Sequence, residues 1–406
     1  MKKIAGLLIA LTIFGIHSMA QTAFITNSIS NTVKVINVAT NTIITTIVVG
    51  ASPTGVSVSP NGTKVYIANR GVNTVNAINT ATNTVSATIT VGNHPDGVIV
   101  SPDNSKVYVT NSFTGTVSVI NAFVDTVSAT VLFNNGTYGI AESPDGSRVY
   151  VTVVGVNAGA NSVAVINTAA DTVLATIPVG INPYGITVST NGNKAYVTNF
   201  NDNTVSIINT ITNTVSSTVL VGSHPWGICS SPDGTMVYVA NYNDSTVSFI
   251  NTSTDLVSAT INVGSGPMGL SVSPDGAKLY VTNWNENSVS VINTATNAVV
   301  DTIVVYHGPV GLGNFISNYP VVTGFAMHSM ESKGITIYPN PATDIITIST
   351  EDKNVKLCKI FLRDILGQLI LESNEMIVDI SKLSPGIYCL EVVLDGEKVV
   401  RKVVKM

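Results

Sequence analysis

Charge is what this sequence has least of. Only 11% of its 406 residues are charged, whereas soluble globular domains usually contain about a quarter. Its 24 acidic residues outnumber its 19 basic ones, and residues 21–330 hold only 7 Lys and Arg against 13 Asp and Glu. No basic surface is available, which argues against nucleic acid as a partner.

Cysteine is also scarce. Three cysteines, Cys229, Cys358 and Cys389, make no disulfide framework. Cys229 falls in a repeated strand where other copies have Ser or Ile, so we predict a small core filler. Cys358 has inward-pointing strand parity and Cys389 outward-pointing parity. Opposed Cβ directions argue against a disulfide between them.

Sequence signatures of catalysis are missing. The chain has no Gly-x-Ser-x-Gly elbow, no His-Glu-x-x-His, no phosphate loop and no Cys-x-x-Cys. Long apolar runs are missing as well, except near the start. Ile4 to Ile16 follows two lysines and precedes small residues, the pattern of a secretory signal peptide over residues 1–20, cleaved between Ala20 and Gln21. The run is too short to span a bilayer, so we predict no membrane span in the mature protein.

A repeat fills most of the rest. In Ser101 to Asn121, two β-forming runs flank small polar turn residues, which predicts a β-hairpin. Its aromatic anchor recurs every 42 residues, with one interval of 46, at Phe24, Tyr66, Tyr108, Tyr150, Tyr196, Tyr238 and Tyr280. A period of about 40–45 residues with four strands per unit is typical of a β-propeller.

The two ends of the repeat region complement each other. The first copy begins at a second strand, Ala23 to Asn27, and the last copy stops after a first strand, Gly311 to Ile316. Joined, they make one blade and remove two free sheet edges. We therefore predict seven blades over residues 21–318, with the last closed by 23–49 plus 311–317.

The repeat resembles a known family. The core Val-Tyr-Val-Thr-Asn at 107–111 follows Gly-x-x-Val-Ser-Pro-Asp-Gly elements and precedes Val-Ile-Asn-Thr-x-Thr-Asn-Thr-Val elements. This pattern resembles the YVTN family of β-propeller repeats. The resemblance implies a secreted or surface propeller but no single activity, since similar propellers include surface-layer proteins, a DNA-binding periplasmic protein and sugar-lactone hydrolases.

A second composition follows a linker at 319–333. Residues 334–406 contain short alternating strands between Gly and Pro turns, which predicts a small Ig-like β-sandwich. The order Tyr-Pro-Asn-Pro, Asp-x-x-Gly, Leu-x-x-Gly-x-Tyr and a basic end resembles the type A C-terminal sorting domain of the type IX secretion system. That resemblance implies a Gram-negative host, the secretion machinery as a partner and removal of this domain.

The polar residues of the repeats do not make a clear metal or cofactor site, and we predict neither. His94 and His224 are equivalent but three blades apart, nearly opposite each other in a ring. The Asp of each Pro-Asp turn is a turn former, as at Asp103, Asp145, Asp233 and Asp275. Asn-rich connections such as 199–203 lack the Gly and terminal Glu of a calcium loop.

Aromatic residues gather in the connections of one rim. Each repeat has a glycine near the start of its first strand, which we call the entry glycine. The residues directly before the seven entry glycines are Thr54, Asp96, Tyr138, Tyr184, Trp226, Met268 and Val310. The connections after the second strands add Phe113, Phe200, Tyr242 and Trp284. The four extra residues of the long interval, within 153–161, fall on the same rim. We predict a ligand-binding face, because large rings anchor interfaces. Its candidate residues are Tyr184, Phe200, Trp226, Tyr242 and Trp284. The alternative is that these rings only pack against neighbouring loops.

We expect a monomeric exported propeller that acts without catalysis, as a binding or adhesion module for a glycan, a peptide or a surface polymer. Two alternatives stay open. One is a lactonase-like hydrolase that uses the propeller channel, where the inner strands offer mainly Glu142. The other is a structural surface-layer protein.

Overall fold

The computed structural model describes residues 21–133, 135–155, 161–317, 335–340, 342–350, 357–363, 369–384, 386–394 and 397–405. Within these ranges the chain consists of strands, turns and irregular segments, and it forms two compact units that divide after residue 323. The all-β fold class predicted from the repeat pattern is confirmed.

The described residues of the first unit form 27 strands in seven antiparallel sheets, named blades 1 to 7 in chain order. Blade 1 contains β1 (Thr22–Asn27), β2 (Thr32–Asn37) and β3 (Thr42–Val48). Blade 2 contains β4 (Pro53–Val58), β5 (Lys64–Asn69), β6 (Thr74–Asn79) and β7 (Thr84–Thr90). Blade 3 contains β8 (Pro95–Val100), β9 (Lys106–Asn111), β10 (Thr116–Asn121) and β11 (Thr126–Leu132). Blade 4 contains β12 (Gly136–Glu142), β13 (Arg148–Val154), β14 (Ser162–Asn167) and β15 (Thr172–Pro178).

The remaining three blades repeat this order. Blade 5 contains β16 (Pro183–Val188), β17 (Lys194–Asn199), β18 (Thr204–Asn209) and β19 (Thr214–Leu220). Blade 6 contains β20 (Pro225–Ser230), β21 (Met236–Asn241), β22 (Thr246–Asn251) and β23 (Leu256–Asn262). Blade 7 contains β24 (Pro267–Val272), β25 (Lys278–Asn283), β26 (Ser288–Asn293) and β27 (Ala298–Val304). First strands of successive blades lie side by side at the centre of the ring, and fourth strands lie outermost.

Blade 1 receives its first strand from the far end of the repeat region. Residues 309–317 run antiparallel to β1, with bridges from Ala23 to Ile316 and from Asn27 to Pro309. The amide of Phe24 donates to the carbonyl of Phe315 at 2.8 Å. Both phenylalanine rings are fully buried in one apolar cluster. The ring therefore closes inside a blade, and the seven-bladed architecture is confirmed.

The Pro-Asp-Gly turns link the first and second strands, and their Asp side chains act locally. Asp233 Oδ1 accepts hydrogen bonds from Ser231 Oγ at 2.5 Å and from the Thr235 amide at 3.0 Å. The Ser231 hydrogen bond holds the pKa of Asp233 below its ordinary value. Gly234 has φ 72°, a conformation that suits glycine. These carboxylates are turn formers, as predicted.

Entry glycines bring the first strands of neighbouring blades together. A Cβ on Gly139 would lie 2.0 Å from the carbonyl oxygen of Tyr184 in the next blade, so no side chain fits there. Thr152 Oγ1 accepts from the Gly139 amide at 2.7 Å and donates to the Tyr184 carbonyl at 3.0 Å. A threonine of one blade thus fixes the backbone of the position before the next entry glycine.

The second unit is a pair of small antiparallel sheets. Its strands are β28 (Ile335–Tyr338), β29 (Ile345–Thr350), β30 (Leu357–Arg363), β31 (Leu369–Ser373), β32 (Ile377–Asp379), β33 (Gly386–Leu394) and β34 (Glu397–Lys405). The sheets have the orders β28-β29-β32 and β31-β30-β33-β34. One buried cluster joins Ile346 and Ile348 of the first sheet to Ile360 and Leu390 of the second.

The cysteine predictions are only partly addressed. Cys229 is a free cysteine, partly buried against the apolar cluster of blades 6 and 7. Burial raises the pKa of its thiol. The side chains of Cys358 and Cys389, residues 1–20 and the linker at 319–333 lie outside the described residues.

Ring closure leads to a testable expectation. A chain that ends at residue 317 should unfold in one cooperative transition, whereas a chain that ends at residue 310 should aggregate or lose that transition. The shorter chain lacks Phe315 and Ser317, the backbone partners of Phe24 and Thr22, and so exposes much of the edge of β1. Thermal unfolding followed by circular dichroism and light scattering compares the two. Identical melting curves would contradict this account of closure.

Candidate functional site

Four of the five predicted rim residues contact one another. Trp226 stacks on Tyr184 with ring centroids 4.7 Å apart and an interplanar angle of 1°. Phe200 meets both rings edge to face, at 5.2 Å from Tyr184 and 5.3 Å from Trp226. Tyr242 lies 5.8 Å from Trp226. We call these four residues, together with Tyr138, the aromatic cluster.

Tyr138 joins the cluster from blade 4. Its ring lies 5.1 Å from Tyr184 in an edge-to-face arrangement. All five side chains of the cluster are partly exposed. Aromatic pairs of this kind add about 0.5–1.5 kcal/mol beyond the area that they bury. The rings therefore support one another while they keep part of their surface in solvent.

Two other aromatic residues of this rim lie apart from the cluster. The indole of Trp284 lies against Gly308, where an added Cβ would come within 3.1 Å of Trp284 Cζ3. Phe113 is 74% exposed and contacts His94 at 5.3 Å between ring centroids. Including Trp284 among the anchors followed from its place in the repeat, since the sequence does not show which way each ring leans.

The scaffold holds the aromatic cluster from below. Thr152 and Thr198 donate to the carbonyls of Tyr184 and Trp226 at 3.0 and 2.8 Å. The two backbone positions are thereby fixed relative to their neighbouring blades. The side chains of Tyr184 and Trp226 can face the solvent, because neither is needed for contact between the blades.

A cavity of about 250 Å³ opens beside the cluster at the centre of the rim. Tyr138, Tyr184 and Trp226 form one wall. Apolar side chains of the first strands and of the closing segment also line it, together with the polar residues Arg70 and Asp96. The apolar lining residues are Val98, Ile140, Ile186, Ile228 and Leu312. A mainly apolar cavity with a few converging polar groups is typical of a ligand site.

Asp96 is the buried charge of this cavity. It is 4% exposed, and its Oδ1 lies 3.4 Å from Nη1 of Arg70. Its other carboxylate oxygen, Oδ2, is fully buried. Burial raises the pKa of Asp96 above its ordinary value, although Arg70 and a hydrogen bond from Ser112 oppose the shift. The site thus contains an ion pair whose acid is almost completely buried and whose base is partly exposed.

Sequence reasoning listed Asp96 and Tyr138 at the entry positions but did not select them, and it missed Arg70. Their position in the repeat could have identified Asp96 and Tyr138, because both precede an entry glycine, as Tyr184 and Trp226 do. Arg70 follows the second strand of blade 2, in the connection where other blades have Phe200 or Tyr242. A search for aromatic residues passes over it.

The predicted insertion within 153–161 falls between β13 and β14, the same type of connection that holds Phe200 and Tyr242. Residues 156–160 of this connection lie outside the described residues. Its placement on the binding rim therefore stays a prediction.

Glu142, the inner-strand acid, does not join the aromatic site. It lines a separate cavity of about 210 Å³ with Asp103, Asp145 and Lys106, beside the Pro-Asp-Gly turns. Neither carboxylate oxygen has a hydrogen-bond partner within the described ranges. Burial, with a smaller contribution from Asp103, raises the pKa of Glu142 from 4.5 to about 8. The side chain is therefore protonated at neutral pH.

Fold and site together define the class: a seven-bladed propeller with a partly exposed aromatic cluster at its channel mouth, followed by a small β domain. Family models agree for both parts. Residues 188–305 match the model described as a YNCE-like beta-propeller, and residues 336–406 match the secretion system C-terminal sorting domain. The protein is therefore an exported propeller, delivered by type IX secretion to the surface or the exterior of a Gram-negative cell.

Solved structures support the fold alone. A chain of the Kuenenia stuttgartiensis hydrazine synthase is 21% identical, with a TM-score of 0.63 over 68% of this chain and 92% of that one. The dihydro-heme d1 dehydrogenase NirN in complex with DHE is 14% identical, with a TM-score of 0.55 over 72% of this chain and 75% of that one. No curated protein matches the sequence. Among the described residues, no helix is long and apolar enough to cross a membrane.

The raised pKa of Glu142 makes stability depend on pH. Because the folded carboxyl keeps its proton up to about pH 8 while the unfolded one ionises near 4.5, the folded state should lose stability between these values as pH rises. Glu142→Gln should remove this loss. It should exceed the parent in unfolding free energy at pH 9, by at most about 5 kcal/mol for this difference in pKa, and the difference should vanish near pH 4.

Denaturant unfolding of the intact chain at pH 4, 7 and 9 measures this difference. Glu286→Gln is the matched control, because Glu286 is exposed and its Oε2 accepts only from the Ser265 amide among the described residues. Glutamine can accept the same hydrogen bond. Parallel pH profiles for the parent and Glu142→Gln would refute the assignment.

The sorting domain leads to a separate expectation. Protein recovered from the medium or from the cell surface should lack roughly residues 334–406, because a domain that directs export is no longer needed once export is complete. Peptide mass spectrometry of the recovered protein should find coverage that stops within the linker. Abundant peptides that extend to Lys405 in the released form would rule out removal.

Proposed function

We propose that the exported propeller is a non-catalytic binding module whose contact surface is the aromatic cluster at the channel mouth. The observation that carries the proposal is the position of the rings. Tyr138, Tyr184 and Trp226 line a cavity instead of filling the space between loops. Tyr and Trp are favoured in such surfaces because they combine apolar area with a polar group.

The chemistry of the turns supports a role beyond packing. The positions equivalent to Trp226 in other blades hold residues as different as Thr54, Asp96 and Met268. Nothing in the backbone geometry of the ring therefore requires a tryptophan at 226. A residue that the fold does not demand, placed at a cavity, fits selection for contact with a ligand.

Packing between the rings is the competing explanation, and the two differ in measurable ways. If the cluster only stabilises loops, removal of one ring should lower stability and leave binding unchanged. If it contacts a ligand, removal should weaken binding by more than the folding defect explains. The partial exposure of the rings favours the second outcome.

Trp226→Ala tests the proposal. The full-length chain is first screened on a glycan and peptide array, and the affinity for the best probe is then measured. We expect the substitution to weaken binding about 30-fold, equivalent to about 2 kcal/mol for a hot-spot residue. Because loss of the indole also removes its stacking on Tyr184, a second variant, Tyr184→Phe, keeps both rings and removes only one hydroxyl.

Trp284→Ala is the matched control. It removes the other tryptophan of the chain from the same rim, where the ring lies against Gly308 and not in the cluster. It should leave affinity within about twofold of the parent, below half a kilocalorie per mole. Equal losses in both tryptophan variants, or a folding defect without loss of binding in Trp226→Ala, would defeat the proposal.

A further inference from the structure

Several hydrogen-bond donors of the cavity beside the aromatic cluster are unused within the described chain. The hydroxyls of Tyr138 and Tyr184 and the indole N–H of Trp226 have no hydrogen-bond partner among the described residues, and none of these atoms is fully buried. All three side chains line the cavity. Arg70 adds further donors, because a guanidinium has five N–H groups and its ion pair with Asp96 uses only Nη1. A bound molecule can therefore be held here through its acceptors.

The acceptors that line the cavity are already in use. The main-chain carbonyls of Tyr138, Tyr184 and Trp226 accept from threonine hydroxyls of the preceding blades at 2.5, 3.0 and 2.8 Å. The side chain of Asp96 is 4% exposed and pairs with Arg70. A ligand that brings N–H or O–H donors of its own would find no free carbonyl or carboxylate here, and an unmet donor is costly once it leaves water. The site thus favours a ligand that accepts hydrogen bonds and does not donate them.

The rest of the cavity is apolar and small. Side chains such as Ile186, Ile228 and Leu312 line it, and its volume is about 250 Å³. This volume lies just below the range of about 300–1,000 Å³ usual for small-molecule sites. Outside the cavity, Phe200 and Tyr242 extend the aromatic surface. The ligand should therefore place one compact apolar group in the cavity and continue along the rings.

Proline is the amino acid that meets these conditions. It has no backbone N–H, and its ring is compact and apolar. Proline-rich segments adopt the polyproline II helix, which has no internal hydrogen bonds, so their carbonyls remain available as acceptors. Aromatic-lined grooves bind such segments in several kinds of domain, and the preformed helix loses little conformational entropy on binding.

We propose that the aromatic cluster and its cavity bind a proline-rich segment of another polypeptide, with one pyrrolidine ring in the cavity. The carbonyls beside that ring accept from the hydroxyls of Tyr138 and Tyr184 and from the guanidinium of Arg70. Because the charges of Arg70 and Asp96 cancel, the pair suits an uncharged segment. The inference rests on the proposed binding function and adds to it the class of partner.

Blocked tetrapeptides test this inference by calorimetry with the full-length chain. Tetraproline should bind with a dissociation constant of about 1 mM or tighter, and tetraalanine should bind at least about tenfold more weakly. Tetraalanine carries an N–H at every residue, which the cavity cannot accept. A tetrapeptide of N-methylalanine lacks both the N–H groups and the pyrrolidine rings. It should bind better than tetraalanine and less tightly than tetraproline.

Tyr138→Phe and Tyr184→Phe each remove one donor and keep both rings. Each should weaken tetraproline binding about threefold, and the double variant about tenfold, which equals about 1.4 kcal/mol. Because neither hydroxyl has a partner among the described residues, all three variants should melt at the temperature of the parent. Tyr306→Phe is the matched control. Tyr306 is 62% exposed, follows the fourth strand of blade 7 on the same rim and does not line the cavity, so its loss of a hydroxyl should leave binding unchanged.

Three results would overturn the inference: tetraproline does not bind, either alanine peptide binds as well as tetraproline or the N-methylated one binds no better than tetraalanine, or the double variant binds tetraproline like the parent. Failure of the broader proposal looks different. If a glycan from the array binds the parent and is lost in Trp226→Ala while no tetrapeptide binds, the binding module stands and the proline-rich partner does not. If neither the array nor the tetrapeptides give binding, both proposals fail.

Discussion

The structure depends on one repeated contact at the centre of the ring, between an entry glycine and the next blade. At Gly139 the backbone lies so close to the Tyr184 carbonyl that a Cβ would reach within 2.0 Å of its oxygen. Thr152 bridges the same two backbone groups by accepting from one and donating to the other. Blades can therefore meet through their main chains, and the packing of the first strands requires no particular side chain before the glycine.

Other residues of the repeat also make contacts only within their own blade or with the next blade. Asn111 donates to the hydroxyls of Thr116 and Ser118 on the third strand, which links two strands inside a blade. Lys64 and Tyr66 reach the carboxylate of Asp125 in the following blade at 2.8 and 3.0 Å. The Tyr, Thr and Asn of the motif thus join neighbouring blades or strands through different atoms. This division explains why the motif predicts the architecture and carries no information about the ligand.

The repeat period and the turn residues were enough to predict the propeller from the sequence. Each blade repeats the same pattern of strands and turns, and the two parts of the split blade can be recognised at the two ends of the repeat region. The aromatic site was predictable only in part. The rim and the residues Tyr184, Phe200, Trp226 and Tyr242 follow from repeat position. Side-chain direction does not, since Trp284 occupies the same position as Phe200 two blades further along the chain but lies against Gly308. The ion pair in the cavity joins residues of different blades and has no signature in a single unit.

The same central contact explains how a ring of similar blades can have different side chains around its channel mouth. Because glycine and threonine fix the backbone, the seven positions before the entry glycines can differ without disturbing closure, and they run Thr, Asp, Tyr, Tyr, Trp, Met and Val in chain order. The aromatic residues fall on three consecutive blades, the acid on the blade before them, and Met268 and Val310, at the next two positions around the ring, are buried. A ligand at the channel mouth would thus meet rings on one side and a charged pair beside them. The asymmetry that binding requires comes from side-chain choice alone.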